Sequence, residues 1–292
     1  MPSLDQLRMF IAAAESGSFS AAGRALGKGQ SAVSTAIVNL EVDLGFELFD
    51  RTTRKPQLTD NGDRMLIHAR AVLMQLDDMT SAANSIFQGE ETCIRLMIDD
   101  ALVLPSLGRI LIEFGQRFPA TQIDLQSGIS PEIPNMVLQD MADIGLMFSS
   151  GGVQKGVEQT FIGNLPFVSV SAPDYPLTKL AEIGANELLS HRQLLLRSPQ
   201  GSVLAQFPTL STQVWYATSF HTMQDLVLQG VGWAYLPEHM VDAAIASGHL
   251  SRLKLRFEHK LWSPPVECIK LKNSCMGPAA TWLFEQIKDI LA

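Results

Sequence analysis

The sequence predicts an α/β protein: an all-α N-terminal winged helix-turn-helix, one long helix, and a two-lobed α/β remainder. Three observations carry this. Apolar residues recur at spacings of three and four through residues 3–45. From Met65 to Ile86 the spacing alternates between four and three without a miss. From Cys93 onward, short apolar runs of strand length alternate with helical patterns.

In residues 3–45, Ser3 and Gln6 have the spacing of a capping box. Leu4, Leu7, Phe10, Ile11 and Ala14 form the apolar stripe of a first helix behind it. "ESGS" breaks that helix, and Ser18 is placed to cap a second, Phe19 to Leu26, whose Ala21, Ala22 and Ala25 permit close helix contact. "GKG" then makes a turn. The third helix follows in "QSAVSTAIVNLEVDLG", with Ala32, Val33, Ala36, Ile37, Leu40 and Leu44 on its apolar face. Two helices joined by a short glycine-containing turn form a helix-turn-helix.

In "FELFDRTTRKPQLTDNGDR", Phe46, Leu48 and Phe49 alternate, Pro56 interrupts and Leu58 restarts, as in a two-stranded wing tipped by Arg51, Arg54 and Lys55. Thr59 can cap the next helix, whose first turn holds Asp60 and Asp63, where negative charge suits the helix dipole. That helix runs from about Asp60 to Gln88. Met65, Ala69, Val72, Leu76, Met79, Ala83 and Ile86 stand at heptad spacing, the pattern of a dimer seam. Leu66 and Leu73 widen the stripe, so packing within the same chain is the alternative.

"QGEET" ends the helix. Strand-like runs beyond it are "CIRLMI", "QIDLQS", "DIGLMF", "FVSVSA", "QLLLR" and "PVECIKL", with helical segments at Leu107–Phe118, Ile133–Gln139, Thr222–Leu228 and Ala279–Leu291. The alternation predicts a mostly parallel sheet. The chain crosses into a second sheet near Phe167 and returns with "PPVECIKL", giving two lobes with a cleft between them. The expected organisation is 1–59, 60–89 and 90–292, with lobe I at 90–164 and 265–292 and lobe II at 165–264.

The chain has 292 residues and a net charge of -8, so its overall field repels nucleic acid, and any such contact must rest on a local surface. Three cysteines, Cys93, Cys268 and Cys275, argue against a disulfide scaffold; they read as reduced thiols, with a redox use of Cys268 and Cys275 as the other reading. The N-terminus lacks the basic region and apolar core of a signal peptide, and no run approaches the ~18 apolar residues of a membrane span. The expectation is a soluble, cytoplasmic protein without cofactor or metal.

With these patterns in place, the chain resembles the LysR-type transcriptional regulators. "GSFSAAGRAL", "QSAVS", "LEVDLGFELFDR" and "LTDNG" fall in that family's order and spacing, and "FGQRFPATQIDL", "MADIGLMF", "SAPDYPLTK" and "DLVLQGVGWAYLPEHMV" resemble landmarks of its ligand-sensing domain. The resemblance covers nearly the whole chain. It implies a linker helix that dimerises and an effector domain like a periplasmic binding protein. It further implies a dimer or tetramer that binds double-stranded promoter DNA, works with RNA polymerase and answers to a small molecule. Two departures stand out: Ser31 occupies the usual proline that opens the recognition helix, and Thr35 and Val38 stand where Arg or Lys is common.

Charge in the first sixty residues nearly cancels. Arg8, Arg24, Lys28, Arg51, Arg54 and Lys55 face Asp5, Glu15, Glu41, Asp43, Glu47, Asp50 and Asp60. The expected division of labour gives phosphate contact to Lys28, Arg51, Arg54 and Lys55. Base reading falls to Gln30, Ser31, Ser34, Thr35, Val38 and Asn39. Gln and Asn pair bidentately with adenine, and the Thr35 or Val38 methyls touch thymine methyls, so an A·T-leaning half-site is expected.

By position in the family pattern, the resemblance implies an effector cleft lined by Asp99, Asp100 and Ala101, by Gly128 and Ile129, and by Met147, Phe148 and Ser149. Arg197, Ser198, Phe220, His221 and Thr222 come from the other lobe. Relatives hold a carboxylate inducer at a helix N-terminus near the first of these places. Two aspartates there repel an anion, so the effector is expected to be neutral or cationic; Arg197 opposes this, and the alternative for the aspartates is a simple helix cap. His221 either bonds an effector or caps its helix.

Against an enzyme, the chain has no G-x-S-x-G, H-E-x-x-H, C-x-x-C or P-loop, so no catalytic residue is assigned. A solute-binding protein leaves the first ninety residues unexplained. A regulator with weak DNA binding that works through protein partners is the remaining alternative, motivated by the missing basic residues.

Overall fold

The computed structural model describes residues 1–52, 56–203 and 206–291. The chain divides into two compact units, Met1–Asn84 and Ser85–Ala292.

In the first unit, α1 (Leu4–Ser16), α2 (Phe19–Ala25) and α3 (Gln30–Leu44) pack around Met9, Phe10, Ala13, Ala22, Val33, Ile37 and Leu40. The capping box at Ser3 is formed in both directions, and Ser18 caps α2. Strands β1 (Phe49–Asp50) and β2 (Gln57–Leu58) pair antiparallel as the wing. Phe49 turns inward and meets Phe10 and Phe19 edge-on at 5.7 and 5.2 Å. This aromatic trio anchors the wing to the helices.

Two glycines set the spacing here. A Cβ on Gly23 would stand 2.7 Å from the Lys28 carbonyl oxygen, so the turn into α3 closes directly over α2. A Cβ on Gly62 would collide with the Leu48 carbonyl oxygen beside the wing.

Helix α4 spans Asp60–Gln88, with Thr59 accepting from the Gly62 N–H at 3.0 Å. It corrects the expected seam at one end. Ala69 is buried in the core of the first unit and Met65 packs against it, because the first turns of α4 cover α1 and the wing. Val72, Met79, Ala83 and Ile86 are exposed, and Leu76 is half-buried. The apolar stripe left uncovered within the chain therefore begins at Val72.

In the second unit, one sheet has the order β4-β3-β5-β12-β6. Its strands are β3 (Cys93–Asp99), β4 (Gln122–Gly128), β5 (Ile144–Phe148), β6 (Val157–Asn164) and β12 (Pro265–Leu271). Strands β3, β4 and β5 are parallel, whereas β12 runs antiparallel between β5 and β6. The sheet is thus mixed, not mostly parallel. Helices α5 (Pro105–Arg117), α6 (Ile133–Leu138) and α10 (Pro278–Ile287) complete this lobe.

The other lobe holds β7 (Phe167–Ser171), β8 (Gln193–Leu196), β9 (Val214–Ala217), β10 (Ala234–Pro237) and β11 (Ser251–Arg252), with α7 (Ala185–Leu189), α8 (Phe220–Leu228) and α9 (Glu238–Ala246). Strand β7 is central and antiparallel to β10 and β11, while β8 and β9 are parallel. The two crossings between lobes run side by side: Phe167 N–H donates to the Trp262 carbonyl at 2.8 Å, and Leu165 N–H to the Pro264 carbonyl at 3.2 Å. Phe148, Phe167, Phe207, Phe220 and Trp262 stack edge-on around this double crossing.

The Gly62→Ala substitution tests the close approach of α4 to the wing. Relieving its clash requires a backbone shift, and we expect a loss of about 1–3 kcal/mol in chemical unfolding of the first unit. An unchanged midpoint would show that the approach is not tight.

Candidate functional sites

Helix α3 presents two polar rows. Ser31, Thr35 and Asn39 recur every fourth residue and are exposed; they line a groove of about 690 Å³ whose other wall is Ser3, Asp5, Gln6 and Met9 of the α1 end. Gln30, Ser34 and Val38 form the adjacent row, with Gln30 exposed and Ser34 and Val38 half-buried. Ala32, expected on the apolar face, is exposed at the groove.

Two of the basic residues expected at phosphate are paired with carboxylates of the same chain. Lys28 sits in the turn before α3, and its Nζ donates to the Asp5 carboxylate at 2.6 Å, holding the Asp5 carboxyl below its usual range. Arg51 Nη2 donates to Glu41 Oε2 at 2.6 Å. Glu41 is the residue that sequence reasoning missed. It is buried on α3, and its Oε1 accepts from the backbone N–H groups of Leu48 and Phe49 at 2.8 and 3.2 Å. One carboxylate thus ties the third helix, the wing strand and the wing's first arginine together. Its signal in the sequence was a single acidic residue at an apolar helix position, one turn after Ile37. Arg54 and Lys55 lie outside the described residues.

In the second unit, the two lobes enclose a cavity of about 670 Å³. One lobe supplies Asp100, Val103, Pro105, Ser127 and Gly128; the other supplies Thr218, Ser219, His221, His239 and Met240. Of the residues expected there, Asp100, Gly128 and His221 line it. Ala101, Ile129, Met147, Phe148 and Phe220 are instead buried in the hydrophobic cores, Phe148 and Phe220 within the aromatic cluster under the crossings. Ser149 turns away and donates to Glu267 at 2.7 Å. Thr222 is exposed on α8 and is not among the lining residues.

Arg197 and Ser198 line a separate pocket of about 400 Å³, where the Arg197 guanidinium stacks 4.0 Å from the Tyr216 ring. Arg197 is thus not among the residues that line the cavity, although Thr218 lines both spaces. Val103, Pro105, Ser127, Thr218, Ser219, His239 and Met240 were missed by sequence reasoning. Ser219 left one trace, a helix cap immediately before α8, and its hydroxyl does accept from the His221 N–H at 3.1 Å.

The neighbouring aspartates do opposite jobs. Asp99 is fully buried and points into its own lobe, accepting from the N–H of Ala101, from the N–H of Ser130 at 2.9 Å and from the Ser130 hydroxyl. It does not line the cavity. Burial pushes its carboxyl up to about 7; the Ser130 hydroxyl opposes this and the nearby Asp100 charge adds to it. Asp100 reaches across the cleft. Its Oδ2 accepts from the Ser219 hydroxyl at 2.8 Å and from the Phe220 N–H at 2.9 Å, capping α8 of the other lobe. Its Oδ1 is buried and has no hydrogen-bond partner among the described residues. The His221 Nδ1 lies 3.7 Å from Oδ2. Partial burial of the His239 ring lowers its pKa, against an upward pull from Asp242 and with a further push down from His221.

Among the described residues, no group of three His, Cys, Asp or Glu side chains is placed to hold a metal ion. Cys268 is fully buried and burial pushes its thiol far up, which removes it as a redox partner for the exposed Cys275. No described helix is long and apolar enough to cross a membrane.

Asp99 makes stability pH-dependent. Its native carboxyl titrates near 7 against 3.8 for an ordinary aspartate, so the native state binds more protons in between. Its contribution is complete below 3.8 and is lost as pH rises to about 7. Thermal unfolding between pH 4 and 8 should show this decline, and Asp99→Asn should lack it; an identical pH profile in the variant contradicts the assignment.

The comparisons with known proteins agree with this architecture. Residues 4–63 match the bacterial regulatory helix-turn-helix family of lysR type, and residues 87–292 match the LysR substrate binding domain. The chain is 26% identical over 291 residues to the HTH-type transcriptional regulator AceR of Acinetobacter baumannii, covering 98% of this chain and 96% of that one. It is 29% identical over 259 residues to the HTH-type transcriptional activator AllS of Klebsiella pneumoniae, covering 84% and 93%. Among solved structures, CrgA, a LysR-type transcriptional regulator from Neisseria meningitidis, superposes with a TM-score of 0.52 at 23% identity, covering 98% and 97%. Full-length BenM superposes with a TM-score of 0.54 at 22% identity, covering 99% and 96%.

Proposed function

The chain belongs to the LysR-type transcriptional regulators, DNA-binding proteins with a C-terminal effector domain, and from that premise we propose how its own residues do this work. Helix α3 reads the major groove of promoter DNA through Gln30, Ser31, Ser34, Thr35, Val38 and Asn39. The small-molecule effector sits in the 670 Å³ cavity between the lobes. The carrying observation is the pairing of Lys28 with Asp5 and Arg51 with Glu41 beside an exposed amide and hydroxyl row. A reading helix whose flanking cations are held by internal carboxylates discriminates bases but grips phosphate weakly.

Amide and methyl groups favour adenine and thymine edges, so selection from a random duplex library should return A·T-leaning half-sites. Affinity should fall only gently with salt, because few phosphates are neutralised per half-site. G-rich sites with a steep salt dependence would overturn this reading.

Weak half-site grips require two copies. The stripe Val72, Leu76, Met79, Ala83 and Ile86 keeps heptad spacing along α4, and its exposed Met79 and Ile86 support a dimer seam there. A tetramer would join two such dimers. Met79→Asp should convert the dimer to monomer in light scattering and lower operator affinity by about 100-fold or more. A variant that stays dimeric with full affinity would move the seam elsewhere.

The internal pairing of Lys28 and Arg51 also favours a second reading, in which DNA contact is slight and regulation runs through protein partners, RNA polymerase among them. A gel shift with the DNA upstream of the protein's own gene separates the two: a discrete complex supports the first reading, its absence the second. The protein acts in the cytoplasm on either reading, and no catalytic step is assigned to it.

A further inference from the structure

We infer that the effector carries a protonated amine, held at the Asp100 end of the cavity. The inference rests on the proposal that the effector binds between the lobes, and it names the chemical class that this cavity accepts.

The charge of the lining carries it. Among the described residues, Asp100 is the one acidic group of the lining and no Lys or Arg stands with it. Partial burial of the His239 ring disfavours its charged form. The hydroxyls of Ser127, Thr218 and Ser219 add neutral acceptors around the same space. An anion entering here would meet a carboxylate whose one neighbouring basic group is the exposed His221 imidazole, 3.7 Å from Oδ2, across apolar walls formed by Val103, Pro105 and Met240. A cation would meet the opposite field.

Asp100 also has capacity to spare. Its Oδ2 is engaged in capping α8, but Oδ1 is buried without a donor. An unpaired buried acceptor on a charged group is costly, and an ammonium group drawn to this carboxylate supplies the missing donor. The helix N-terminus that would attract an anion is already filled by the Asp100 carboxylate at α8. At α5, Pro105 occupies the first position and has no N–H, and the Leu107 N–H donates to the Leu104 carbonyl at 3.0 Å. Little of the usual anion-binding apparatus is left open.

Because Asp100 spans the cleft to Ser219 and Phe220, a ligand that binds this carboxylate acts on one of the contacts between the lobes. Occupancy is thereby coupled to lobe closure through one side chain.

The test uses three six-carbon probes that differ only at their ends: hexane-1,6-diamine, hexane-1,6-diol and adipate. Each is added to the full chain at neutral pH, and thermal stabilisation is measured for wild type, Asp100→Asn and Ser127→Trp. Wild type should be stabilised by the diamine and not by adipate, with the diol weaker than the diamine. Asp100→Asn should weaken the diamine by about tenfold or more while leaving the diol unchanged. Stabilisation by adipate, an equal response to diol and diamine, no response to any probe, or a diamine response that Asp100→Asn leaves intact overturns the inference. Ser127→Trp fills the cavity from an exposed strand position and tests the underlying site. If adipate binds wild type but not Ser127→Trp, the site stands and the amine class fails; if a stabilising probe acts equally on Ser127→Trp, the site itself is wrong.

Discussion

The effector domain depends on two adjacent carboxylates at the end of β3. Asp99 turns inward and gathers the Ser130 loop, and its burial makes it a weak acid by carboxylate standards. Asp100 turns outward and caps a helix of the opposite lobe. The strand ends at Asp99 and the chain turns into a single 3-10 turn at Asp100, so the adjacent pair serves the interior of one lobe and a helix end of the other. The cavity exists between these lobes, and the carboxylate that helps join them is also the charged group on its wall.

The first unit uses the same chemistry, a buried carboxylate that accepts from backbone N–H groups. Lys28, in the turn before α3, and Arg51, beside the wing, are paired with Asp5 and Glu41. Glu41 adds two backbone N–H groups of the wing to its arginine. Here a buried acceptor positions the wing strand against α3. In both units a carboxylate satisfies backbone donors at a junction.

Much of the fold was legible because periodicity reports burial directly. The capping box at Ser3, the bounds of α4 and six strand-like runs follow from spacing and caps that act locally. Strands β6, β9, β10 and β11 were not legible, because they are short or carry polar residues on a partly exposed edge, as in "VEQTFIGN". The antiparallel insertion of β12 depends on long-range pairing that no local pattern encodes. The candidate site was harder still. Phe148 and Phe220 occupy positions that suit a ligand equally well by sequence, and only the aromatic cluster under the crossings shows that they are core. His239 and Met240 lie on α9, a helix whose sequence gave no sign of facing the cleft.

The central claim is that a ligand joins the lobes at Asp100, and a crystal structure of the full chain with its strongest stabilising compound tests it most directly. The account predicts ligand density bridging Ser127 and Gly128 on one side and His221 and His239 on the other, with a donor group at the Asp100 carboxylate. Density confined to the Arg197 and Tyr216 pocket, with the space between the lobes empty, would contradict it.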